Sequence, residues 1–396
     1  MTKDFKIIVS NTDCNPYTSL SVNNSFEIEN HLGFLSGFDY SLLCRYNFLD
    51  SISEQTIKLV LNICKLPHTC DIYISDRLKN QINSDKNTFL WIFSPHEATL
   101  DHNNFAVELK KRGFNLDKIV ITNSDNSVDG KIIAGIKYVS FPEWWEAYYR
   151  HLVRTKDDIS FTTPNERKNY LDSLNKKSLC LNRNLKIHRI WTYYYLLETG
   201  LFNESYYSYH LPMAAQKDGV DLKEWIIDEL KKYNSRFAAK DVFKKTQIFK
   251  NHMLDSIDER FVINLQSEIK KYFDKSAVSI VTESLENHDF LTEKTFKTII
   301  HSHPFITIGG TGIGERLKER GYQLFDDIFG FEHIDNPQEC QQMMAKIKNY
   351  SMNDLRFFNK NEINNRITHN YNHFFNRKIN FIDFLNKLES TLNEKK

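Results

Sequence analysis

The sequence lacks any apolar run that approaches the ~18 residues of a membrane-spanning helix. Its first residues, Met-Thr-Lys-Asp-Phe-Lys, lead into a predicted strand rather than into the apolar core of a signal peptide. Cysteine is scarce, and no two cysteines form a Cys-x-x-Cys pair. These absences predict a cytoplasmic protein whose thiols are reduced and mostly buried. The six cysteines are Cys14, Cys44, Cys64, Cys70, Cys180 and Cys340.

The sequence also lacks an excess of charge of either sign, since 52 Lys and Arg face 51 Asp and Glu. The overall charge therefore gives no reason to propose nucleic acid or an anionic membrane as a partner. One segment is locally basic: residues 231–250 contain seven Lys or Arg and one Asp, interleaved with phenylalanine. This segment favours a nucleic-acid acceptor. The other interpretation is a solvated helix with an apolar seam.

A chain of 396 residues with 41% apolar side chains is long enough for two cores. Predicted strands at 5–10, 71–75, 89–93, 118–123 and 136–141 alternate with predicted helices at 53–64 and 105–112, as in a doubly wound domain. We therefore predict an α/β fold with two Rossmann-like doubly wound domains and a helical tail. The predicted divisions are a first domain over 1–155, a charged linker over 156–175, a second domain over 176–360, and C-terminal helices over 361–396 that pack back on the first domain.

The stretch 276–314 contains strand, polar loop, helix, strand and glycine-rich loop in one unit. Residues 277–281 and 304–308 are short apolar runs typical of buried parallel strands. Thr292 is a good N-cap for the helix between them, and Phe296 and Ile299 fall on one face of it. Ligands bind open α/β sheets at the carboxyl ends of the strands, so we expect the chemistry in these two loops.

The segment Glu283-Ser-Leu-Glu-Asn-His-Asp-Phe-Leu-Thr-Glu293-Lys294, followed by this helix and a His-Pro-Phe-Ile strand, resembles the donor-binding motif of α-1,3-fucosyltransferases. It is also similar to that of a looser set of bacterial and phage glycosyltransferase-like proteins with the two-domain GT-B fold. The resemblance implies that Glu293 and Lys294 bind the ribose hydroxyls and the diphosphate of a nucleotide sugar. An ammonium beside a helix N-terminus is chemically suited to a diphosphate, and a carboxylate accepts two vicinal hydroxyls.

The chain departs from the family pattern at two places in this stretch. Phe290 stands where the family has Tyr, and the loop Gly309-Gly-Thr-Gly-Ile-Gly314 is richer in glycine. The donor-binding candidates here are Glu283, Phe290, Glu293, Lys294, Gly310 and Gly312. Alternatively, the charged members of this set are solvated residues of a loop and of a first helical turn.

A basic cluster follows the first predicted strand of the second domain, in the run Asn182-Arg183-Asn184-Leu-Lys186-Ile-His188-Arg189. Arg183 is the predicted diphosphate ligand, with Lys186 beside it, because a guanidinium can hold two phosphate oxygens at once. The resemblance implies the same role for an Arg at this strand end. A solvated basic first turn is the alternative, although cations oppose the helix dipole at an N-terminus unless an anion joins them.

The first domain offers a candidate base in the run Ser94-Pro-His96-Glu97, which follows a predicted strand. Glu97 is the predicted general base for an acceptor hydroxyl, and its neighbour His96 is the second candidate. The resemblance also implies a carboxylate base in the N-terminal domain. The alternative is that both side chains cap the next segment.

These observations and the resemblance together imply a glycosyltransferase that is inverting and metal-independent, needs no cofactor, and uses a GDP- or UDP-linked sugar as co-substrate. The sequence has no Asp-x-Asp motif of metal-dependent transferases. The acceptor stays open between a surface polysaccharide, a lipid-linked glycan and a hydroxymethylated DNA base. One rival is an NAD(P)-dependent oxidoreductase that uses Gly310-Thr-Gly312-Ile-Gly314 and Asp327, although this spacing is shorter than the full dinucleotide fingerprint. A non-catalytic nucleotide- or sugar-binding protein is the third interpretation.

Overall fold

A computed structural model describes residues 5–9, 43–45, 57–63, 74–94, 101–155, 160–182, 186–208, 267–284, 290–377 and 381–393. The chain divides into two compact units. The first contains Met1–Thr155 and Lys378–Lys396, and the second contains Lys156–Arg377.

The described strands form one sheet in each unit. The first unit contains β1 (Phe5–Val9), β2 (Leu43–Arg45), β3 (Ile57–Ile63), β4 (Thr88–Phe93), β5 (Ile119–Asn123), β6 (Ile132–Ile133) and β7 (Ile136–Ser140). The second contains β8 (Lys176–Leu181), β9 (Ser205–Ser208), β10 (Ser276–Thr282), β11 (Phe305–Ile308) and β12 (His333–Ile334).

Helices connect these strands and cover the two sheets. In chain order they are α1 (Asp76–Ser84), α2 (His102–Lys111), α3 (Trp144–Thr155), α4 (Pro164–Tyr170), α5 (Ile187–Glu198), α6 (Ser267–Lys275), α7 (Glu293–Ile300), α8 (Ile313–Glu319), α9 (Asp326–Phe329), α10 (Pro337–Asn349), α11 (Met352–Phe358), α12 (Asn364–Asn376) and α13 (Phe381–Asn393). Short 3-10 turns lie at Leu116–Lys118, Asn126–Val128, Leu171–Ser173 and Leu201–Glu204, and a π-helical turn at Asn359–Ile363 joins α11 to α12.

The first sheet has the strand order β2-β1-β3-β4-β5-β7-β6. All of its described pairs are parallel except the β6–β7 hairpin. The sheet extends in opposite directions from the β1–β3 pair, which is the doubly wound arrangement that the sequence predicts. On one face, α1 and α2 bury Leu78, Ile82, Phe105 and Leu109 against the sheet. Also in the first unit, the ring of Phe384 on α13 stacks on the ring of Phe141, and the two ring centroids are 4.9 Å apart.

The predicted helix over 53–64 is wrong, because this segment contains strand β3. β3 pairs in register with β1 on one side and β4 on the other. A short apolar run fits a buried strand or a buried helix equally well by its pattern alone. Pairing with two neighbouring strands decides between them here.

The second sheet has the order β12-β11-β10-β8-β9, and all of its described pairs are parallel. The predicted strand–helix–strand unit of 276–314 is confirmed as β10, α7 and β11. Helix α7 begins after its N-cap Thr292 and buries Phe296, Ile299 and Ile300. Helix α12, from the predicted C-terminal tail, belongs to this unit and brings Phe374 to 6.1 Å from the Phe296 ring.

Part of the predicted linker 156–175 is a folded helix of the second unit. Thr163 and Glu166 form a capping box at the start of α4. Arg167 of this helix is buried, and its guanidinium donates to the carbonyl oxygens of Phe273 at 2.7 Å and Ser276 at 2.8 Å. These bonds attach α4 to the end of α6 and the start of β10.

Two further predictions concern cysteine and the membrane. Cys180 and Cys340 are free and buried, as predicted, and burial raises the pKa of Cys180 to about 12. The side chains of the other four cysteines lie outside the described part. No helix within the described ranges has both the length and the apolar composition that a bilayer crossing requires.

Candidate functional site

The second sheet has its topological switch point between β8 and β10. After β8 the chain places β9 on the outer side of β8. After β10 it places β11 and then β12 on the opposite side of the sheet. Asn182 follows β8, and Thr282 ends β10; the Thr282 hydroxyl donates a hydrogen bond to Oδ1 of Asn182. In open α/β sheets, the crevice at such a point is the usual ligand site, because the loops diverge there.

Glu283 follows β10 directly and is fully buried. Its Oε1 accepts hydrogen bonds from the backbone N–H of Thr292 at 3.2 Å and from the hydroxyl of Thr295 at 2.5 Å. Its Oε2 accepts from the Thr292 hydroxyl. The carboxylate therefore holds the N-terminus of α7 against the end of β10.

Glu293 and Lys294 occupy the first turn of α7, and their side chains are 15% and 19% exposed. The Lys294 ammonium donates to Oγ of Ser284 at 2.8 Å, to Oγ1 of Thr292 at 3.1 Å and to Oε1 of Glu293 at 2.8 Å. Burial raises the pKa of Glu293, but Lys294 and Lys297 outweigh it and hold this pKa below its usual value. The pair is thus an ionised carboxylate and an ammonium at the edge of the switch point.

The first turn of α5 brings two more basic residues to this place. Nε2 of His188 donates to the carbonyl oxygen of Glu283 at 2.6 Å, and the Arg189 guanidinium donates to the same oxygen at 3.4 Å. Both side chains are buried. Burial lowers the pKa of Arg189, while the carboxylates of Glu293 and Glu283 act in the opposite direction. An arginine stays protonated even so.

The described charges around the switch point are unequal. Arg189, Lys294 and Lys297 carry three positive charges, whereas Glu283 and Glu293 carry two negative ones. The N–H groups of the first turn of α7 add partial positive charge at the same place. The arrangement can therefore take up an anion with several oxygens, such as a diphosphate.

The structure brings three of the predicted donor-binding residues together, namely Glu283, Glu293 and Lys294. Lys186 is the N-cap residue of α5, and Phe290 is buried just before Thr292. Gly310 is buried after β11, and Gly312 is the N-cap residue of α8 with a φ of 91°, which favours glycine. Arg183, His96 and Glu97 lie outside the described residues.

The dinucleotide interpretation gains no support from Asp327, its predicted ribose ligand. The Asp327 carboxylate is paired with both terminal nitrogens of Arg366, each at 2.5 Å. Arg366 also lowers the pKa of Asp327. In the described structure this carboxylate is therefore engaged by α12 rather than presented to a ligand.

Arg189, Thr295 and Ser284 belong to the site but were not predicted as ligand or positioning residues. Arg189 lies in the basic run that the sequence analysis singled out, yet the run alone does not show which of its members turns inward. Thr295 lies three residues after Thr292 on α7, a spacing that places both hydroxyls on one side of the helix. That spacing is the one signal that could have identified it.

No model of a known protein family and no curated protein matches the chain. Among solved structures, the chain is similar to an α1,3-fucosyltransferase with GDP-fucose, with 11% identity, a TM-score of 0.43, and coverage of 99% of this chain and 91% of that one. It is similar to a trehalose-6-phosphate synthase with 11% identity, a TM-score of 0.42, and coverage of 88% and 74%. It is also similar to an α,α-trehalose 6-phosphate synthase from Burkholderia multivorans, with 12% identity, a TM-score of 0.38, and coverage of 99% of this chain and 99% of that one. Values this low assign neither a fold nor an activity to this chain.

Proposed function

We propose that this protein is a glycosyltransferase that binds a nucleotide sugar at the switch point of the second unit. The observation that carries the proposal is the Lys294 ammonium at the N-terminus of α7, ion-paired with Glu293, whose carboxylate also interacts with the buried Arg189. The same Thr-Glu-Lys segment carries the resemblance to the donor-binding motif of the α-1,3-fucosyltransferases.

In this proposal, Lys294 and the first N–H groups of α7 contact the diphosphate, and Glu293 accepts the ribose hydroxyls. Lys294 then exchanges the Glu293 carboxylate for phosphate oxygens, and Glu293 exchanges the ammonium for hydroxyl donors, so each charged group keeps a hydrogen-bond partner. Glu283 is a positioning residue, since its oxygens already bond to Thr292 and Thr295. Arg183 remains a predicted second diphosphate ligand.

The proposed reaction is a direct displacement. The acceptor oxygen attacks the anomeric carbon, and the bond to the diphosphate breaks with its electron pair on the leaving oxygen. Attack from the opposite side inverts the configuration. The excess positive charge at the switch point stabilises the negative charge that develops on the diphosphate, so no metal ion is needed in this mechanism. Glu97 and His96 remain the sequence-predicted bases, and the acceptor class remains open.

A ligand panel in a thermal-shift assay tests the proposal. GDP, UDP, their sugar conjugates and NAD are added one at a time, since a ligand that binds the native state raises the melting temperature. Protection by GDP or UDP and release of nucleoside diphosphate from a sugar conjugate are the expected results. Protection by NAD alone would support the oxidoreductase, and protection without turnover would support a binding protein.

A further inference from the structure

Two histidines, His369 and His373, lie four residues apart on α12. Four residues make about one helical turn, so both side chains project from the same side of the helix. The two imidazole rings are parallel, with an interplanar angle of 6°, and their centroids are 5.7 Å apart. His369 is exposed, and His373 is partly exposed. Ions in the solvent can therefore reach the pair.

Each of the two rings is held through its Nε2 atom by the chain that ends α8. Nε2 of His369 lies 2.9 Å from the carbonyl oxygen of Gly321, and Nε2 of His373 lies 2.6 Å from that of Arg320. A carbonyl oxygen only accepts hydrogen bonds, so each neutral ring carries its proton on Nε2 and its lone pair on Nδ1. The described hydrogen bonds of both rings involve Nε2 alone. Two basic nitrogen atoms on one side of α12 are thus available to a ligand.

The bonds to backbone carbonyls are those that a metal-binding histidine usually makes. A ligating imidazole donates its other N–H to a carbonyl or a carboxylate, which fixes the tautomer and makes the ligating nitrogen more basic. Imidazole nitrogen suits Zn²⁺, Ni²⁺ and Cu²⁺. Two histidines at this spacing on a helix can share one such ion. The residues between them are Asn370, Tyr371 and Asn372, so the glutamate of metalloprotease helices is absent.

The charges around the histidine pair favour a cation. The carbonyl oxygens of Arg320 and Gly321 lie at the C-terminal end of α8, where the helix dipole places partial negative charge. Arg366 lies about one turn before His369 on α12, but its guanidinium is paired with the carboxylate of Asp327. The positive charge of this arginine is therefore balanced.

A movement of His369 converts the parallel pair into a chelate. Metal–nitrogen bonds of ~2.0–2.1 Å require the two ligating nitrogens to lie within ~4 Å of each other. His373 is fixed by its part-buried bond to Arg320 and by the Tyr322 ring, whose centroid is 5.0 Å away. The bond from His369 to Gly321 is exposed, so water can replace it when the ring turns towards His373. Gly321 has no side chain to obstruct the site, since a Cβ there would lie 2.8 Å from Cε1 of His373.

We propose that His369 and His373 form a surface site for a divalent transition-metal ion of the group Zn²⁺, Ni²⁺ and Cu²⁺. Nδ1 of each ring supplies one ligand. Water molecules supply the others, because the described residues contain no group of three or more His, Cys, Asp or Glu side chains that could hold a metal. The ion stabilises the second unit, since His373 also bonds to the end of α8. Neither histidine is a proposed diphosphate ligand, so the inference does not depend on the proposed function.

Calorimetric titration and thermal shift of the full chain with Zn²⁺, Ni²⁺, Cu²⁺ and Mg²⁺ test the site. Cu²⁺ should bind more tightly than Zn²⁺ and Ni²⁺, and each should raise the melting temperature. Mg²⁺ should do neither, because it prefers oxygen ligands. His369→Gln and His373→Gln should each lower the Zn²⁺ affinity ~10-fold or more, since loss of even a supporting group costs ~10–100-fold. His102→Gln, at a partly exposed histidine of the first unit, is the matched control and should not change the affinity.

NMR of the histidine rings locates the ion. The ring signals of His369 and His373 are assigned by their absence in the two variants, and both should shift as Zn²⁺ is added to the wild type. If His373→Gln does not fold, His369→Gln alone provides the comparison, because its side chain is exposed. No binding of Zn²⁺, Ni²⁺ or Cu²⁺ by the wild type at millimolar concentration overturns the proposal. Binding of equal affinity in the wild type and in His369→Gln also overturns it, since the ion then lies elsewhere.

Discussion

Nε2 of His188 lies 2.6 Å from the carbonyl oxygen of Glu283. This bond connects the first turn of α5 to the end of β10, across the switch point of the second sheet. The carboxylate of the same Glu283 holds the start of α7 through Thr292 and Thr295. One buried residue therefore positions both helix N-termini that face the proposed diphosphate.

Replacement of Glu283 by Gln tests this positioning role. A glutamine has one acceptor oxygen, and its amide would face donors on Thr292 or Thr295, so at least one buried donor loses its partner. We expect the free energy of unfolding to fall by ~1–3 kcal/mol and nucleoside-diphosphate binding to weaken. Urea unfolding and calorimetric titration measure the two effects. The control Glu319→Gln, whose side chain is 64% exposed in a surface ion pair, should change neither.

Lys294→Ala should weaken binding of GDP or UDP by ~1.5–3 kcal/mol, the range for a hydrogen bond to a charged group. The fold should persist, because Lys294 is partly exposed and its partners Ser284 and Glu293 can form hydrogen bonds to water instead. Isothermal titration measures the affinity. Lys318→Ala removes a cation that pairs with Glu332 elsewhere in the second unit and should leave the affinity unchanged. Equal affinity in wild type and Lys294→Ala would refute the donor site.

His301 predicts a pH dependence of stability. It is fully buried, stacks on Phe273 at 4.2 Å, and neither ring nitrogen has a partner among the described residues. Burial, with Lys297 and Lys270 nearby, lowers the pKa of His301 to about 3. The unfolded state, with its pKa near ~6.5, takes up the proton first, so stability is complete above that pH and falls as the pH drops from it towards 3.

His301→Phe should remove this part of the acid sensitivity. Phenylalanine keeps the stacking on Phe273 and leaves no buried nitrogen unpaired, so stability near pH 7 should be equal or higher. At about pH 5 the wild type should have lost ~2 kcal/mol through His301 that the variant keeps. His303, whose pKa burial also lowers, should leave a residual slope in both proteins. Parallel stability curves, measured by urea unfolding from pH 7 to 4, would contradict the prediction.

Arg167→Lys should loosen α4. A single ammonium cannot replace the guanidinium bonds to Phe273, Ser276 and Asn359, so buried acceptors are left unpaired at a cost of ~1–3 kcal/mol. Limited proteolysis should then cut within 164–170, where the wild type resists. The neighbouring Lys168 is exposed, and Lys168→Ala should behave like the wild type. Ready cleavage of the wild type there would show that the helix is not anchored in solution.

Gly321→Ala should destabilise the second unit more than Gly200→Ala. Both glycines have left-handed backbones, with φ of 89° and 71°, so each variant bears a backbone strain of ~1–3 kcal/mol. At Gly321 the new Cβ would also lie 2.8 Å from Cε1 of His373, whereas at Gly200 the nearest atom is 3.9 Å away. His373 donates to the carbonyl oxygen of Arg320 at 2.6 Å and cannot move without losing that bond. Equal denaturation midpoints of the two variants would refute the steric part of this argument.

The prediction over 276–314 succeeded because its determinants are local. Thr292 caps α7, the face with Phe296 and Ile299 follows the helical period, and the flanking apolar runs are bounded by polar loops. The prediction over 53–64 failed because its determinant is not local. Ile57 pairs with Phe5, far away along the chain, and no pattern within the segment reveals that partner.

The amino-acid sequence alone determined the α/β class, the capped helix α7, and the placement of Glu293 and Lys294 at its first turn, because these depend on spacing within a few residues. Only the tertiary structure decided that the Glu283 carboxylate bonds to Thr292 and Thr295 and that the buried Arg189 donates to the Glu283 carbonyl oxygen. Each of these depends on which strands are neighbours and in what register they pair. Strand order is set by burial and pairing over the whole sheet, so it brings together residues whose separation along the chain carries no signal of their contact.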